Sequence, residues 1–241
     1  MENILIKIRE AFLKALYPES ENCPVCKNKL KDKGLPVCTD CLSKIDAINP
    51  PFCIKCGKPF FEGEHFNLCP DCRVKRHFFE KARSYGVYEG ILKKLIHEFK
   101  YNKEKRLIKV LGEKLSEAYE RSGFSGIDLI VPVPLYWKRQ EQRGFNQSLL
   151  LAKELEKNTK IRVEEVLARV KSTEHQTSLP KSKREENVKG AFEVKKNADI
   201  KGKNILLVDD VYTTGSTADE CSKTLLSGGA DMVYVITLAR G

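Results

Sequence analysis

The sequence predicts an α/β domain built on a parallel sheet, preceded by a small metal-binding module. Three observations carry this. Eight of the nine cysteines lie between residues 23 and 72, as four Cys-x-x-Cys pairs. From about residue 81 the chain alternates apolar runs of strand length with amphipathic stretches of helical length. Two of those runs, residues 204–208 (NILLV) and 233–238 (VYVITL), are nearly continuously apolar, as strands covered on both faces are.

The bulk numbers set the frame. A chain of 241 residues, 41% hydrophobic and 32% charged, accommodates one domain of ordinary size plus a smaller attachment, and it is too apolar for a disordered protein. The expected division is an amphipathic helix over 1–20, a cysteine module over 21–80 and the α/β domain over 81–241. No apolar run approaches the roughly 20 residues that span a bilayer. Lys7, Arg9, Glu10 and Lys14 interrupt the start of the chain, so a secretory signal is not expected there. Ile4, Leu5, Ile8, Phe12 and Leu16 fall near helical spacing, so this segment is expected to pack on its own protein in preference to a membrane surface. The expected location is the cytoplasm, with the inner face of the membrane as the second choice. The net charge of +10 suits phosphate-rich ligands or nucleic acid.

The pairs are Cys23/Cys26, Cys38/Cys41, Cys53/Cys56 and Cys69/Cys72, separated by 11, 11 and 12 residues. Each Cys-x-x-Cys turn presents two thiolates on one side of a knuckle, and two knuckles complete a tetrahedron around Zn²⁺. Eight thiolates imply two structural zinc ions with no open coordination position. A disulfide framework is disfavoured because nothing suggests export. Spacing alone leaves open whether the pairs combine sequentially or interleave. Lys27, Lys55 and Lys58 lie beside the knuckles, where ammonium groups would offset the negative Cys₄–Zn charge. His65 is read as a solvated loop residue and Pro50-Pro51 as a linker between the two halves. Too few apolar residues separate the pairs to build a core, so metal is expected to supply the folding energy.

In the larger domain, strands are expected over 82–88 and 128–135 (DLIVPVPL). Helix faces are marked by Ile91, Leu92, Leu95, Ile96 and Phe99, and by Leu107, Ile108, Leu111, Leu115 and Ala118; a third helix covers 148–157. Residues 171–190 read as a polar loop able to close over a site, with Lys183 and Arg184 as anion contacts and His175 as a surface residue. Residues 208–217 join NILLV to the next helix, and each part has a physical task. Gly215 permits a sharp bend. Thr213, Thr214, Ser216 and Thr217 expose N–H groups and hydroxyls where a helix starts, which attracts anions. Ser216 with Asp219 reads as a capping arrangement, Gly228-Gly229 as the helix end, and Cys221 as a core residue. Asp209 and Asp210, adjacent at the end of a buried strand, need partners such as sugar hydroxyls or hydrated Mg²⁺. Lys138, Arg139 and Arg143 follow the preceding strand to the same sheet edge and are read as pyrophosphate contacts, while Asn146 caps a helix.

The segment LLVDDVYTTGST resembles the phosphoribosyl pyrophosphate (PRPP) signature of type I phosphoribosyltransferases. That resemblance implies that Asp209 and Asp210 contact the ribose hydroxyls, that 213–217 wrap the 5′-phosphate, and that Mg²⁺ accompanies PRPP. The chain is similar over nearly its whole length to ComF-type competence proteins, a zinc ribbon joined to a phosphoribosyltransferase-like domain. The matching stretches are YEGILKKLIHEFKY (88–101), VPVPL (131–135), RGFNQS (143–148) and QTSL (176–179). The family implies a role in natural transformation, with single-stranded DNA and a helicase-like ATPase as partners.

Two functions stay open at this stage. One is a transferase, in which charge positioning suffices and no covalent nucleophile is needed. The other is a DNA-handling protein that keeps the PRPP pocket for binding, with Phe52, Phe60, Phe61, Tyr136, Trp137 and Phe145 as aromatics for single strands. A glutaminase-linked enzyme is not expected, since it needs an N-terminal cysteine where this sequence reads Met1-Glu2. No C-terminal hood for an acceptor base is expected after the last strand, a place the zinc module would take.

Overall fold

A computed structural model describes residues 21–32, 34–60, 63, 66–102, 104–171 and 183–241, with backbone only at 183–185. The expected N-terminal helix, Phe61, His65, His175, the QTSL stretch and the side chains of Lys183 and Arg184 lie outside the described residues. The chain divides into two compact units, Met1–Lys44 and Ile45–Gly241. Among the described residues, no helix is long and apolar enough to cross a membrane.

In the first unit the described residues form a cysteine knuckle, bridged at Asn22 and Lys29, and the short helix α1, Thr39–Leu42. Lys27 takes the left-handed conformation that closes the knuckle, with its N–H on the Cys23 carbonyl at 2.9 Å. Apart from the prolyl ring at Pro24, the buried side chains among its described residues are Val37, Cys23 and Cys41, too few to make an apolar core by themselves. This is the condition under which metal has to supply the stability.

The second unit begins with the other four cysteines and helix α2, Pro70–Val74. Then follow β1 (Ala82–Val87), α3 (Gly90–Tyr101), α4 (Leu107–Glu120), β2 (Leu129–Pro132), α5 (Trp137–Arg143), α6 (Gln147–Thr159), β3 (Leu167–Arg169), α7 (Lys183–Val188), β4 (Phe192–Val194), β5 (Asn204–Tyr212), α8 (Ser216–Ser227) and β6 (Met232–Arg240). The main sheet runs β1-β6-β5-β2 and every pairing in it is parallel; β3 and β4 form a small antiparallel pair. Continuous apolar sequence at the centre has its reason here, because 205–208 and 235–236 are fully covered by helices on both faces. Helices α3 and α4 bury the faces read from the sequence, including Leu92, Leu95, Ile96, Phe99, Leu111 and Leu115. Asn146 caps α6, accepting from the Ser148 N–H at 3.1 Å while donating to the Val133 carbonyl at 3.1 Å.

Three expectations need correction. Strand β5 does not stop at Val208. Asp209 pairs with Thr237, Val211 with Ala239 and Tyr212 with Arg240, so the connection to α8 is only three residues. The Asp-Asp pair reads locally as a turn, but the β-forming Val211 and Tyr212 beyond it and the neighbouring strand carry the ladder on. Within 171–190, residues 183–188 are helical, and Val188 and Ala191 are fully buried in the core, so that end of the segment is anchored. Ser216 and Asp219 make no capping arrangement: Gly215 at φ 80° is the N-cap, without a side-chain cap, and Asp219 is used elsewhere.

Helices α4 and α6 approach at Gly112, where an added Cβ would lie 2.5 Å from Glu154 Cβ. Gly112→Ala is therefore expected to lower stability by about 1–2 kcal/mol despite the better helix propensity of alanine, read as a lower urea midpoint at unchanged slope.

Candidate functional site

Strand β5 carries Asp209 and Asp210 to the carboxyl end of the sheet, where Val133 and Leu135 follow the end of β2, and a cleft opens between them. Asp210 is buried. Its Oδ1 pairs with Lys100 Nζ at 2.8 Å, and its Oδ2 accepts from Gln147 Nε2 at 3.2 Å. Asp209 Oδ1 accepts from Ser148 Oγ at 2.9 Å and from the Asp210 N–H at 2.9 Å. Asp209 Oδ2 is thus the one oxygen of the four without a protein donor among the described residues. Burial, and next the Asp210 charge, push the Asp209 carboxyl up to about 7; Lys100 works against this. Burial opposes the charge on Lys100, but Asp210 and Asp209 outweigh it and hold the ammonium above its ordinary range.

Lys100, at the C-terminal end of α3, is thus the counter-ion of the carboxylate pair. Lys100→Met would strand Asp210 in the interior with only Gln147 as donor. Stripping one partner from a buried pair costs about 3–5 kcal/mol, so chemical denaturation should show a fall of roughly 3 kcal/mol.

The opposite wall is basic. Arg139 and Arg143 of α5 and Arg169 of β3 line the same cleft, with Arg143 stacked 5.0 Å from the Tyr101 ring. Burial, and then Arg143, lower the pKa of Arg139; burial, and then Arg139, lower that of Arg169. A wall of three guanidiniums, two of them with their charge disfavoured by burial and a basic neighbour, suits a polyanion, whose arrival relieves the repulsion. Thr213 and Thr217 reach the cleft from the β5–α8 connection. Thr214 and Ser216 face away from it, hydroxyl to hydroxyl at 2.8 Å, and line a second groove; Gly215 lines a small recess shared with Asp209 and Thr217. Lys138 does not line the cleft; its ammonium lies 5.4 Å over the Trp137 ring. Lys100, Gln147, Ser148 and Arg169 belong to the cleft without having been singled out from sequence. Lys100, Gln147 and Ser148 were inside marked motifs; Arg169 carried no local signal.

The eight paired cysteines form two clusters in sequential order, Cys23/Cys26/Cys38/Cys41 and Cys53/Cys56/Cys69/Cys72, which settles the pairing. Within each, all ligand sulfurs lie within 4.8 Å of one another, and one cross-knuckle pair stands at 3.6 Å, Cys26/Cys38 in the first and Cys56/Cys69 in the second. A tetrahedral Zn²⁺ with Zn–S bonds of about 2.3 Å needs edges of about 3.8 Å, so both sets fit the ion. Hydrogen bonding from Cys56 brings the Cys53 thiol down to about 4, a thiolate at neutral pH. The clusters differ in surroundings. Cys26 of the first is exposed, whereas Cys53, Cys56 and Cys69 of the second pack into the main core with Phe79 and Ala82. Lys55 and Lys58 lie near acidic partners of their own, Glu80 at 3.7 Å and Asp71 at 4.0 Å. The charge of the second cluster is faced instead by two arginines from the sheet: Arg83 donates to the Ile54 carbonyl at 3.1 Å, and Arg240 to the Cys56 carbonyl at 2.8 Å.

A family model described as a double zinc ribbon domain matches residues 12–73. Over 226 residues the chain is 32% identical to Competence protein F of Haemophilus influenzae, spanning 90% of this chain and 96% of that protein. Over 224 residues it is 31% identical to DNA utilization protein YhgH of Escherichia coli (strain K12), with the same shares of 90% and 96%. A solved glutamine PRPP amidotransferase from B. subtilis aligns with 54% of this chain and 25% of its own at 23% identity, with a TM-score of 0.37. The fold assignment rests on the strand order and not on that likeness.

Proposed function

We propose a function from one premise: the chain belongs to the family of Competence protein F and DNA utilization protein YhgH. Its α/β domain is a phosphoribosyltransferase-like module that binds PRPP, and the protein serves DNA uptake by handling single-stranded DNA. The observation that carries the PRPP reading is the polarity of the cleft. Asp209 and Asp210 on one wall suit a sugar diol, and Arg139, Arg143 and Arg169 on the other suit a pyrophosphate. Thr213 and Thr217, at the start of α8, suit a phosphate at a helix N-terminus. Three of the four carboxylate oxygens already have protein donors, so Asp209 Oδ2 is the group that fits a hydrated Mg²⁺. When bound, that ion would neutralise charge on the pyrophosphate. The chain's own residues orient the ribose and hold the anion. Tyr88 and Tyr101 complete the lining of the cleft.

For single-stranded DNA, one expected aromatic, Trp137, is exposed, and Phe66 and Phe78, which were not expected, are exposed as well. Phe145 is buried against Phe99, while Phe66, Phe78 and Trp137 are about half exposed. Phe66 lies under Arg73 at 4.3 Å and Phe78 under Lys223 at 5.7 Å, pairings of cation and ring that suit stacked bases and phosphates. A helicase-like ATPase is the protein partner in this reading.

Isothermal titration with PRPP and Mg²⁺ tests the pocket: saturable heat is expected, and none would remove the assignment. A pyrophosphate-release screen with bases and amines then separates holding from transfer, since release with any acceptor favours the alternative of an active phosphoribosyltransferase. Gel shifts with single-stranded DNA should weaken steeply between 50 and 200 mM salt, as counterion release requires.

A further inference from the structure

The second cysteine cluster and the β5–α8 connection are tied together at both ends of that connection. On the β5 side, Tyr212 is buried under the Arg240 guanidinium, 4.5 Å from its ring, and Phe79 meets it edge-on at 6.1 Å. Arg240 in turn donates to the Cys56 carbonyl at 2.8 Å, inside the knuckle that carries two of the metal ligands. The Tyr212 hydroxyl occupies the place a Cβ on Gly215 would take, so this ring is the floor of the turn, and Gly215 at φ 80° is the residue that fits over it. On the α8 side, Asp219 accepts from the Phe78 N–H at 2.8 Å and lies 3.4 Å from both His77 Nδ1 and Lys75 Nζ. Those residues directly follow α2, the helix that holds Cys72. His77 stacks on Phe79 at 4.7 Å, which joins the two branches.

We infer that the second metal site is the base on which the ligand loop 213–217 is held, with Arg240 and Asp219 as positioning residues. The inference rests on the PRPP reading only for what the loop binds. Its physical content is a coupling between metal and loop. Zinc fixes the Cys53/Cys56 knuckle and the turn before α2, Arg240 and Asp219 transmit those positions to Tyr212 and α8, and the turn between them stays closed. Coupling of this kind is reciprocal, so a ligand on the loop must raise zinc affinity at the second cluster by the factor by which zinc raises ligand affinity.

Amide hydrogen exchange on the full zinc-loaded chain reads the coupling without any ligand. Cys72→Ser, which removes a ligand from the second cluster, should speed exchange across 213–217 by about tenfold, within the range usual for coupled sites. Arg240→Gln and Asp219→Asn keep all eight thiols; each should speed exchange in the same segment with two zinc ions still bound, and these variants carry the test should Cys72→Ser fail to fold. Unchanged protection of 213–217 in Arg240→Gln and Asp219→Asn overturns the inference. Chelator competition with PRPP and Mg²⁺ supplies the reciprocal reading: one of the two zinc ions should be held about tenfold more tightly, and that gain should vanish in Arg240→Gln. Absence of binding heat in the unaltered protein would count against the PRPP pocket, whereas altered exchange in the variants would still support the coupling.

Discussion

Replacing Asp209 and Asp210 together by asparagine is expected to weaken PRPP binding by at least two orders of magnitude, and also to lower stability, because buried Lys100 loses both of its counter-charges. Hydrogen bonds to a charged acceptor contribute about 1.5–3 kcal/mol each, so losing two charged acceptors removes roughly 3–6 kcal/mol of affinity. Isothermal titration measures this directly; unchanged affinity would refute the role of the pair. Asp209→Asn alone should have a second effect of opposite sign. The Asp209 carboxyl is pushed up to about 7 from an ordinary 3.8, chiefly by burial, so the folded chain keeps a proton that the unfolded chain has released. The stability this contributes is complete below about pH 4 and is lost as pH rises through 7. Asparagine is neutral throughout and still offers an oxygen to Ser148 and to the Asp210 N–H. It should therefore raise the melting temperature at pH 8 by roughly 3–6 °C and at pH 5 by less, each kcal/mol being worth about 2–4 °C in a chain of this size. A gain in stability with a loss of binding marks a group kept charged for its ligand. A lower melting temperature at pH 8 would instead assign Asp209 to the fold.

Chelation should remove the two zinc ions in separate steps with different consequences. The first cluster has an exposed Cys26 and few buried neighbours among the described residues, so a competing ligand is expected to reach it readily. The second is enclosed by the main core and faced by Arg83 and Arg240. One equivalent should leave at least tenfold faster than the other, followed by a chromophoric chelator. Coupling between zinc binding and folding is worth on the order of 10 kcal/mol in isolated fingers. The first loss should therefore unfold residues near 21–44 with the sheet signal in circular dichroism retained. The second should lower the melting temperature of the sheet itself. Simultaneous loss of both ions would contradict the difference in burial.

What was legible in the sequence was local. Cys-x-x-Cys spacing announces a knuckle because both ligands sit in one turn, and strands such as NILLV announce a covered sheet because burial on two faces leaves no polar positions. Sequence order left the pairing of knuckles open, and packing decided it. The cleft was half legible. Asp209, Asp210 and Thr213 lie in one short segment, but their counter-ion Lys100 comes from α3 and the third guanidinium, Arg169, from β3; only the sheet brings them together. The adjacent aspartates did state that a cation was required without saying which. Arg83 and Arg240 were hidden for the same reason, since a residue on a strand compensating a distant thiolate cluster leaves no periodic trace.

The partnership of β1 with β6 also bears on how the chain is made. Strand β1 is an edge strand whose neighbour in the sheet is β6, at the far end of the sequence. At about 5–20 residues per second a ribosome needs roughly 7–30 s to pass from one to the other. Through that interval β1 has no sheet to join, and the second cysteine cluster lacks the arginine that β6 brings to Cys56. The newborn protein thus holds a strand edge open, and its second cysteine cluster without Arg240, until β6 emerges. That is the period when premature metal exchange or edge-to-edge association is most dangerous to it.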